Sequence, residues 1–496
     1  MKSSSHYDKE SISSKRSHSG GNRHRIRIRR HGQWLRSAPP LLILLFFAAL
    51  VRLFLWSWFS RLPSDMRLPI WDERDYHSLA TNLVEYGEFS FALGEPISIR
   101  PPFYPFFLAF IYELFGLGSF QVARAVQAGL SLGTIVLLYD LGKRVYDRRT
   151  GLWVAGFYAF YPSLLVANNL ILTEGLFTFF LIATAWALVR ALQKESIVWL
   201  LYAGVFLGMG ALTRSVLWLF IPLLSTYILI VWRGRIWLRF TAAGTLFLAA
   251  ALIITPWAVR NTRLEKTFLT VDSMGGRNLM MGNYQYTPMH RSWDAISITG
   301  ETSWDIVLSR EEPTSLSATQ GQKDKMAMRY GVKYALTHPF LTAQRDIVKF
   351  FDFWGLEREQ IAGASQGFFG PMPKIAVWML ALIIVAGYIA GFFTGIFGAI
   401  LTPPEDWRIF GLFLLVIAFV TGMHTLAFGH SRYHLPLMPL VLTFAGAAVR
   451  RAKQLWSSRG RLPFWLATAV CGVFALAWVW DLVAVEGDKL TQLFKS

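Results

Sequence analysis

The stretch PLLILLFFAALVRLFLWSWF, residues 40–59, holds a single charged side chain, Arg52. A run of about 20 apolar residues is long enough to cross the roughly 30 Å hydrocarbon core of a bilayer as a helix. Once there, the chain must satisfy its backbone polar groups internally, and a helix does so within one segment. The pattern recurs. Apolar runs suggest eleven spans, at 40–59, 119–142, 151–168, 175–192, 197–213, 215–232, 239–256, 375–398, 408–428, 434–449 and 463–482. Charged residues make up only 16% of the chain, against about a quarter in soluble domains. The expected fold class is therefore an all-α polytopic membrane protein, with no internal repeat and no separate soluble enzyme domain. The first run is followed by no small-residue cleavage site and reads as a retained helix.

Orientation follows from the loops. With the N-terminus in the cytosol, the loops KRVYDRR (143–149), RGRIWLR (233–239) and RRAKQLWSSRGR (450–461) fall inside, carrying four, three and five basic residues. The short outer loops near 168–174, 213–214 and 429–433 carry none, one and one. That bias is the positive-inside pattern. It requires that PPFYPFFLAFIYELFGLG (101–118), with three prolines in its first five residues, lie along or dip into the interface. Two segments then face out: a first loop at 61–118 with interfacial helices, and a long loop or small subdomain at 257–374. The latter ends in an amphipathic stretch, 340–357, whose apolar face would lie on the membrane surface. The transmembrane parts run over 39–256 and 375–496.

The formal net charge of +18 does not point to nucleic acid, because ten Lys and Arg residues sit in positions 1–38. That segment, rich in Ser, Gly and His, reads as a disordered cytosolic tail able to touch anionic lipid. The single cysteine, Cys471, excludes an intrachain disulfide and a cysteine metal site.

Polar residues from distant parts of the chain gather at the outer face. They are Asp72 and Glu73 in WDERDYHSLA (71–80) with Tyr76 and His77, Arg100 in SIRPPFYP (98–105), and Glu174 in NNLILTEGLF (168–177). Arg260 and Asn261 in TPWAVRN (255–261) and His430, Arg432, Tyr433 and His434 in GHSRYHLPLMP (429–439) complete the set. Each has a bland reading. Arg432–Tyr433 alone would be an interfacial anchor, and Glu174 alone a first-turn acid on a helix. Convergence of carboxylates and guanidiniums on one face is what points to chemistry: arginine suits a phosphate, and a carboxylate suits a hydroxyl proton or a metal ion. No glycine-rich nucleotide loop, HExxH motif or nucleophile elbow competes.

The order of these motifs resembles the GT-C membrane glycosyltransferases, in particular bacterial relatives of the protein O-mannosyltransferase and lipid A aminoarabinose transferase families. The matching stretches are WDERDYHSLATNLVEYGEFSF (71–91), RPPFYPFFLAFIYELFG (100–116), LTEGLF (172–177), GALTRSV (210–216), TPWAVRN (255–261), GGRNLMMGNY (275–284) and SRYHLPLMPL (431–440). The resemblance implies a GT-C-like fold and transfer of a sugar from a polyprenyl-phosphate carrier to a glycan, lipid or protein acceptor outside a bacterial inner membrane. It makes Asp72 the catalytic base and Glu73 the second acid of that motif. Arg100 becomes the donor-phosphate contact, Glu174 an acceptor-, metal- or site-holding acid, and Tyr76 the tyrosine of the aminoarabinose motif. Asp75 departs from that motif, which has arginine there, and the large extracytosolic sugar-binding domain of eukaryotic protein mannosyltransferases is missing.

A phosphate leaves as a stable anion, so one base suffices where a glycosidase needs an acid as well. Asp72 is expected to take the acceptor proton, Arg100 with Arg432 or Arg260 to stabilise the phosphate, and His77, Tyr433 and Asn261 to position the substrates, with inversion at the anomeric carbon. A divalent ion held by Asp72, Glu73 and Glu174 stays open. So do two other readings: a transporter or flippase of lipid-linked sugars, and a polysaccharide polymerase or ligase.

Overall fold

A computed structural model describes residues 38–62, 68 and 70–487. The basic tail expected over 1–38 lies outside them, Ala38 apart. The described residues are helical, with turns and loops and one isolated bridge, Ser90–Pro96. Among the described residues, seven helices are long and apolar enough to cross a bilayer: Pro39–Ser60, Phe120–Val145, Glu174–Lys194, Ile236–Glu265, Lys374–Leu401, Trp407–Leu426 and Leu462–Val485. The protein is a polytopic helical membrane protein.

The other four expected spans form shorter or interrupted segments. Pro162 divides 151–168 into helices Arg148–Ala159 and Pro162–Ala167, with Tyr161 extended at φ −70°, ψ 113°, because a residue before proline is driven out of the helical region. Residues 215–232 begin with the tight turn Ser215–Leu217 before helix Phe220–Val231, and 434–449 emerge from the tight turn Ser431–Leu437 into helix Met438–Arg450. Ile197–Thr213 is continuous at 17 residues.

Helix Glu174–Lys194 is the axis of the bundle. Its most apolar stretch is 83% buried, against 11% for Pro39–Ser60 at the periphery. Leu181, Leu188, Leu207, Leu246, Phe413 and Phe444 meet in the central core. In a bilayer such contacts hold helices by close packing, since lipid tails are as apolar as leucine.

Between the first two long helices run Trp71–Tyr86 and Phe103–Phe115. The second has 13 residues, about 20 Å at 1.5 Å per residue, too short to cross. Tyr104, Leu108, Ile111 and Tyr112 bury one of its sides with Tyr76, Leu176 and Phe180, while Phe110 and Phe115 stay exposed.

The later segment carries helices Gly275–Gly282, Trp304–Glu311, Gln320–Thr337, Pro339–Phe353 and Glu359–Ser365. It builds an apolar cluster of Met280, Met281, Tyr284, Val307, Leu308 and Ala327, sealed by Phe428. In Pro339–Phe353 the buried residues are Arg345, Lys349 and Phe353, four apart, so the inward side carries two cations. Arg345 donates to the carbonyls of Tyr284 and Thr287, and Lys349 to Asn283 Oδ1 at 3.2 Å. Phe340 and Ile347 point outward.

Candidate active site

Helix Trp71–Tyr86 starts where Glu73 Oε2 accepts the Ile70 N–H at 3.0 Å, meeting one of the donors a helix N-terminus leaves unpaired. Glu73 Oε1 accepts the Ile171 N–H at 2.8 Å. This fully buried acid therefore fastens the start of helix Trp71–Tyr86 to the turn before Glu174. Burial pushes its carboxyl up to about 7, against the pull of those two backbone donors. Asp72 and Asp75, three apart, share another face of the same helix, and Arg100 meets both: its Nη2 lies 2.9 Å from Asp72 Oδ1 and 2.5 Å from Asp75 Oδ2. The Asp75 departure thus has a place, as the second carboxylate on Arg100. Tyr76 lies under the Arg100 guanidinium at 5.7 Å.

Arg432 links this group to the rest. It donates through Nε to Glu174 Oε1, and its Nη1 stands 3.3 Å from Asp72 Oδ2 and 3.5 Å from Glu359 Oε1. Arg214 Nη2 also reaches Glu174 Oε1, at 2.7 Å. Two glycines set the turn that carries Arg432. A Cβ on Gly429 would sit 1.9 Å from the Lys349 carbonyl oxygen, and one on Gly282 1.7 Å from that of Ala427. The GGRNLMMGNY segment and the turn before Arg432 can dock only with no side chain there. Asn283 completes the joint, donating to Leu426 O at 2.8 Å. His430 accepts the Arg432 N–H on Nδ1 at 3.1 Å; burial, and then the adjacent Arg432 charge, push its pKa down to about 3, so it is neutral.

The cluster is not closed. Four carboxylates, Asp72, Asp75, Glu174 and Glu359, face three guanidiniums, Arg100, Arg214 and Arg432. Glu174 Oε2 and Glu359 Oε2 are buried with no protein donor. A buried acceptor left this way costs about 1–3 kcal/mol, more when charged. Both residues line a cavity of ≈ 240 Å³ with Arg432, Trp71 and Phe368.

Of the remaining expected residues, Tyr433 borders this cluster and the others lie elsewhere. Arg260 donates to Ile97 O at 2.5 Å and to Asn261 Oδ1 at 2.8 Å, and stacks on Trp257. Asn261 in turn donates to Val271 O at 2.9 Å. This pair ties the segment around Ile97 to helix Ile236–Glu265, and none of its hydrogen bonds reaches the acidic cluster. His77 Nδ1 pairs with the Tyr112 hydroxyl at 3.1 Å. Tyr433 stacks on His424 and approaches Arg214. His434, fully buried, holds Glu357 at 3.0 Å. Among the described residues no group of three or more His, Cys, Asp or Glu side chains is arranged to hold a metal ion.

Residues 99–259 match the family described as dolichyl-phosphate-mannose-protein mannosyltransferase. That stretch includes Arg100, Glu174 and Arg214; Asp72, Glu359 and Arg432 fall outside it. A relative from Pseudomonas aeruginosa (strain UCBPP-PA14), the undecaprenyl phosphate-alpha-4-amino-4-deoxy-L-arabinose arabinosyl transferase, is 30% identical over 153 residues. The match takes in 30% of this chain and 27% of that protein, so the chain spans little more than a quarter of its relative's length. Among solved structures, the archaeal oligosaccharyltransferase AglB from Archaeoglobus fulgidus, in complex with an inhibitory peptide and a dolichol-phosphate, is similar over 89% of this chain and 54% of its own, at 13% identity and a TM-score of 0.46. ArnT from Cupriavidus metallidurans bound to undecaprenyl phosphate is similar over 85% of this chain and 80% of its own, at 17% identity and a TM-score of 0.39.

Arg214 and Glu359 were not among the candidates read from the sequence. Arg214 had a signal, being the sole basic residue in a short outer loop after an apolar run. Glu359 had none, standing in the mixed stretch GLEREQ.

Proposed function

We propose that the protein is a GT-C-like glycosyltransferase. It moves a sugar from a polyprenyl-phosphate donor to an extracytosolic glycan, lipid or protein acceptor, in a bacterial inner membrane with the N-terminus in the cytosol. The observation that carries the reading is one carboxylate, Asp72, set between Arg100 and Arg432, together with the match over residues 99–259.

In this reading the acceptor oxygen attacks the anomeric carbon as its proton passes to Asp72. The bond from that carbon to the phosphate oxygen breaks, and the phosphate leaves with the electron pair. One displacement inverts the anomeric centre. Arg100 is already shared by two carboxylates, so an arriving phosphate competes for it; loosening the Asp72–Arg100 pair frees an Asp72 oxygen for the proton. Arg432, held on three carboxylates, keeps the geometry fixed while charge shifts to the phosphate. Glu73, both oxygens engaged, holds the loop rather than the substrate.

An apolar groove of ≈ 700 Å³ between helices Phe220–Val231 and Ile236–Glu265 suits the lipid tail, with Ile221, Phe247, Ala251 and Val259 on its walls and Arg263 among its lining residues. Its Trp218 follows Arg214 by one tight turn.

The test incubates detergent-purified wild type and Asp72→Asn with a panel of polyprenyl-phosphate sugars and an acceptor extract, with and without EDTA, and follows release of polyprenyl phosphate. Release by wild type alone supports the reading. Release by both removes Asp72 as base, release by neither returns the transporter reading, and loss with EDTA adds a metal ion.

A further inference from the structure

Helix Pro339–Phe353 is amphipathic the wrong way round for water. At about 100° per residue, its four charged residues, Arg345, Asp346, Lys349 and Asp352, share the half centred on buried Lys349. Phe340, Ala343, Ile347 and Phe351 share the opposite half. A surface helix in water would do the reverse. The apolar half also reaches a membrane span. The Phe351 and Phe474 ring centroids stand 5.7 Å apart, and Phe474 belongs to the span Leu462–Val485. It precedes by seven residues Asp481, which pairs with Arg358 of the later segment at 2.5 Å. Seven residues are about 10 Å of helix, so the Phe351 end meets the span well below its end. Phe340 is 86% exposed and Leu336, closing the preceding helix, 76%, as much as Leu476 on that span at 73%.

That preceding helix, Gln320–Thr337, carries two exposed rows at four-residue spacing, Met328, Val332 and Leu336 beside Lys325, Arg329 and Lys333. Residues of both rows line one open surface groove. Arg329 pairs with Glu312 at 3.0 Å, while Lys325 and Lys333 have no carboxylate partner among the described residues. An apolar row edged by cations is the pattern of a helix lying on anionic lipid.

We propose that these two helices form an arm that lies in the surface of the outer leaflet, with Leu336, Phe340 and Ile347 among the lipid chains and Lys325 and Lys333 on anionic headgroups. Lipid is the occupant because the apolar half of Pro339–Phe353 runs on into the exposed surface of a span. The inference stands apart from glycosyl transfer and needs only a chain that spans a membrane. It also touches the site described above. The Lys349 carbonyl on the inward half of the same helix packs against Gly429, in the turn that leads to Arg432. One helix thus faces lipid on one side and seats the ion-pair cluster on the other.

The experiment uses the full chain, one copy per nanodisc. On a Cys471→Ser background, Leu336→Cys, Phe340→Cys and Ile347→Cys are each labelled with a nitroxide. Power saturation then compares collisions with oxygen, which concentrates among lipid chains, and with a water-soluble nickel chelate. Leu476→Cys gives the lipid reference, and Glu301→Cys, at an exposed acid, gives the water reference. Oxygen should dominate at Phe340 and Ile347 as it does at Leu476. Nickel dominating there, as at Glu301, overturns the inference, and shielding from both reagents overturns it in favour of a protein contact. Discs containing phosphatidylglycerol should lower nickel collisions at Leu336 by roughly twofold or more against pure phosphatidylcholine. Lys325→Glu with Lys333→Glu should remove that difference. Equal collisions in the two lipids would overturn the headgroup contact. Should one labelled variant fail to fold, the other two decide.

Discussion

Helix Glu174–Lys194 has an ionic cluster at each end, and the two are built differently. Near its C-terminal end Asp140 Oδ2 accepts from Arg144 Nε at 2.6 Å, Arg190 Nη2 at 2.9 Å and Trp186 Nε1 at 2.9 Å. Arg190 lies 4.2 Å from the ring of Trp186 and 4.6 Å from that of Trp199. About 24 Å away along the helix, Glu174 accepts from Arg214 and Arg432 on one oxygen and leaves the other without a protein donor. One carboxylate oxygen, Asp140 Oδ2, takes three donors among rings and guanidiniums, and what is left over there is a donor, Arg190 Nε. The other belongs to a cluster with more acids than bases, open to a cavity. Residue types alone do not separate structure from chemistry here; the distinction lies in what is left unpaired.

Asp72→Asn and Asp140→Asn put that contrast to its hardest trial. Asp72→Asn is expected to cut the transfer rate by about 10²–10⁴-fold, the usual loss when a general base is removed, with little change in melting temperature. Asp140→Asn should do the reverse, lowering the melting temperature and sparing the rate. Matching behaviour in the two, read by polyprenyl phosphate release and thermal melting in one detergent, would erase the distinction.

Glu174→Gln comes next in size. It leaves Arg214 and Arg432 short of a buried partner, a change that typically costs about 3–5 kcal/mol, visible in denaturant unfolding.

A third trial uses pH. Glu73, whose ordinary value is 4.5, rises to about 7 in the folded protein through burial. A carboxyl raised on folding adds stability that is fully present below its unfolded value and is lost as pH rises through its folded value. The stability difference between wild type and Glu73→Gln should therefore shift against wild type between pH 4.5 and 7. A difference that stays flat over that range would place the Glu73 pKa near its ordinary value.

The smallest effect is expected in the groove. Ala251→Trp should raise KM for a long-chain donor several-fold and leave kcat and short-chain donors almost unchanged.

Much of this was legible in the sequence, for a physical reason. A charged residue next to hydrocarbon is costly enough to stand out, so Asp72, Arg100, Glu174 and Arg432 were visible and do meet. The seven longest helices announced themselves by length alone. What local sequence cannot carry is the identity of a partner. In TPWAVRN, Arg260 looks like a phosphate ligand and Asn261 like a substrate-positioning residue, yet their hydrogen bonds go to each other and to carbonyls of Phe89, Ile97 and Val271. Glu73 looks like a twin of Asp72, but neighbouring residues on a helix point about 100° apart, so it turns to backbone donors. Glu359 belongs to the site because Glu359–Ser365 folds back over it, a long-range fact with no local trace.

Arg432 joins Asp72, Glu174 and Glu359, and its bond to Glu174 closes a sequence gap of 258 residues. Synthesis runs from the N-terminus, so the first two acids reach the membrane well before their shared arginine exists. Until residue 432 emerges, Glu174 has Arg214 alone and Asp72 has Arg100 alone. The tight turn Ser431–Leu437 is thus the keystone of biogenesis: a chain cut short before it can insert most of its helices and still lack a complete cluster. The guanidinium that holds the proposed centre in place is thus the last member of its ion-pair cluster to be made.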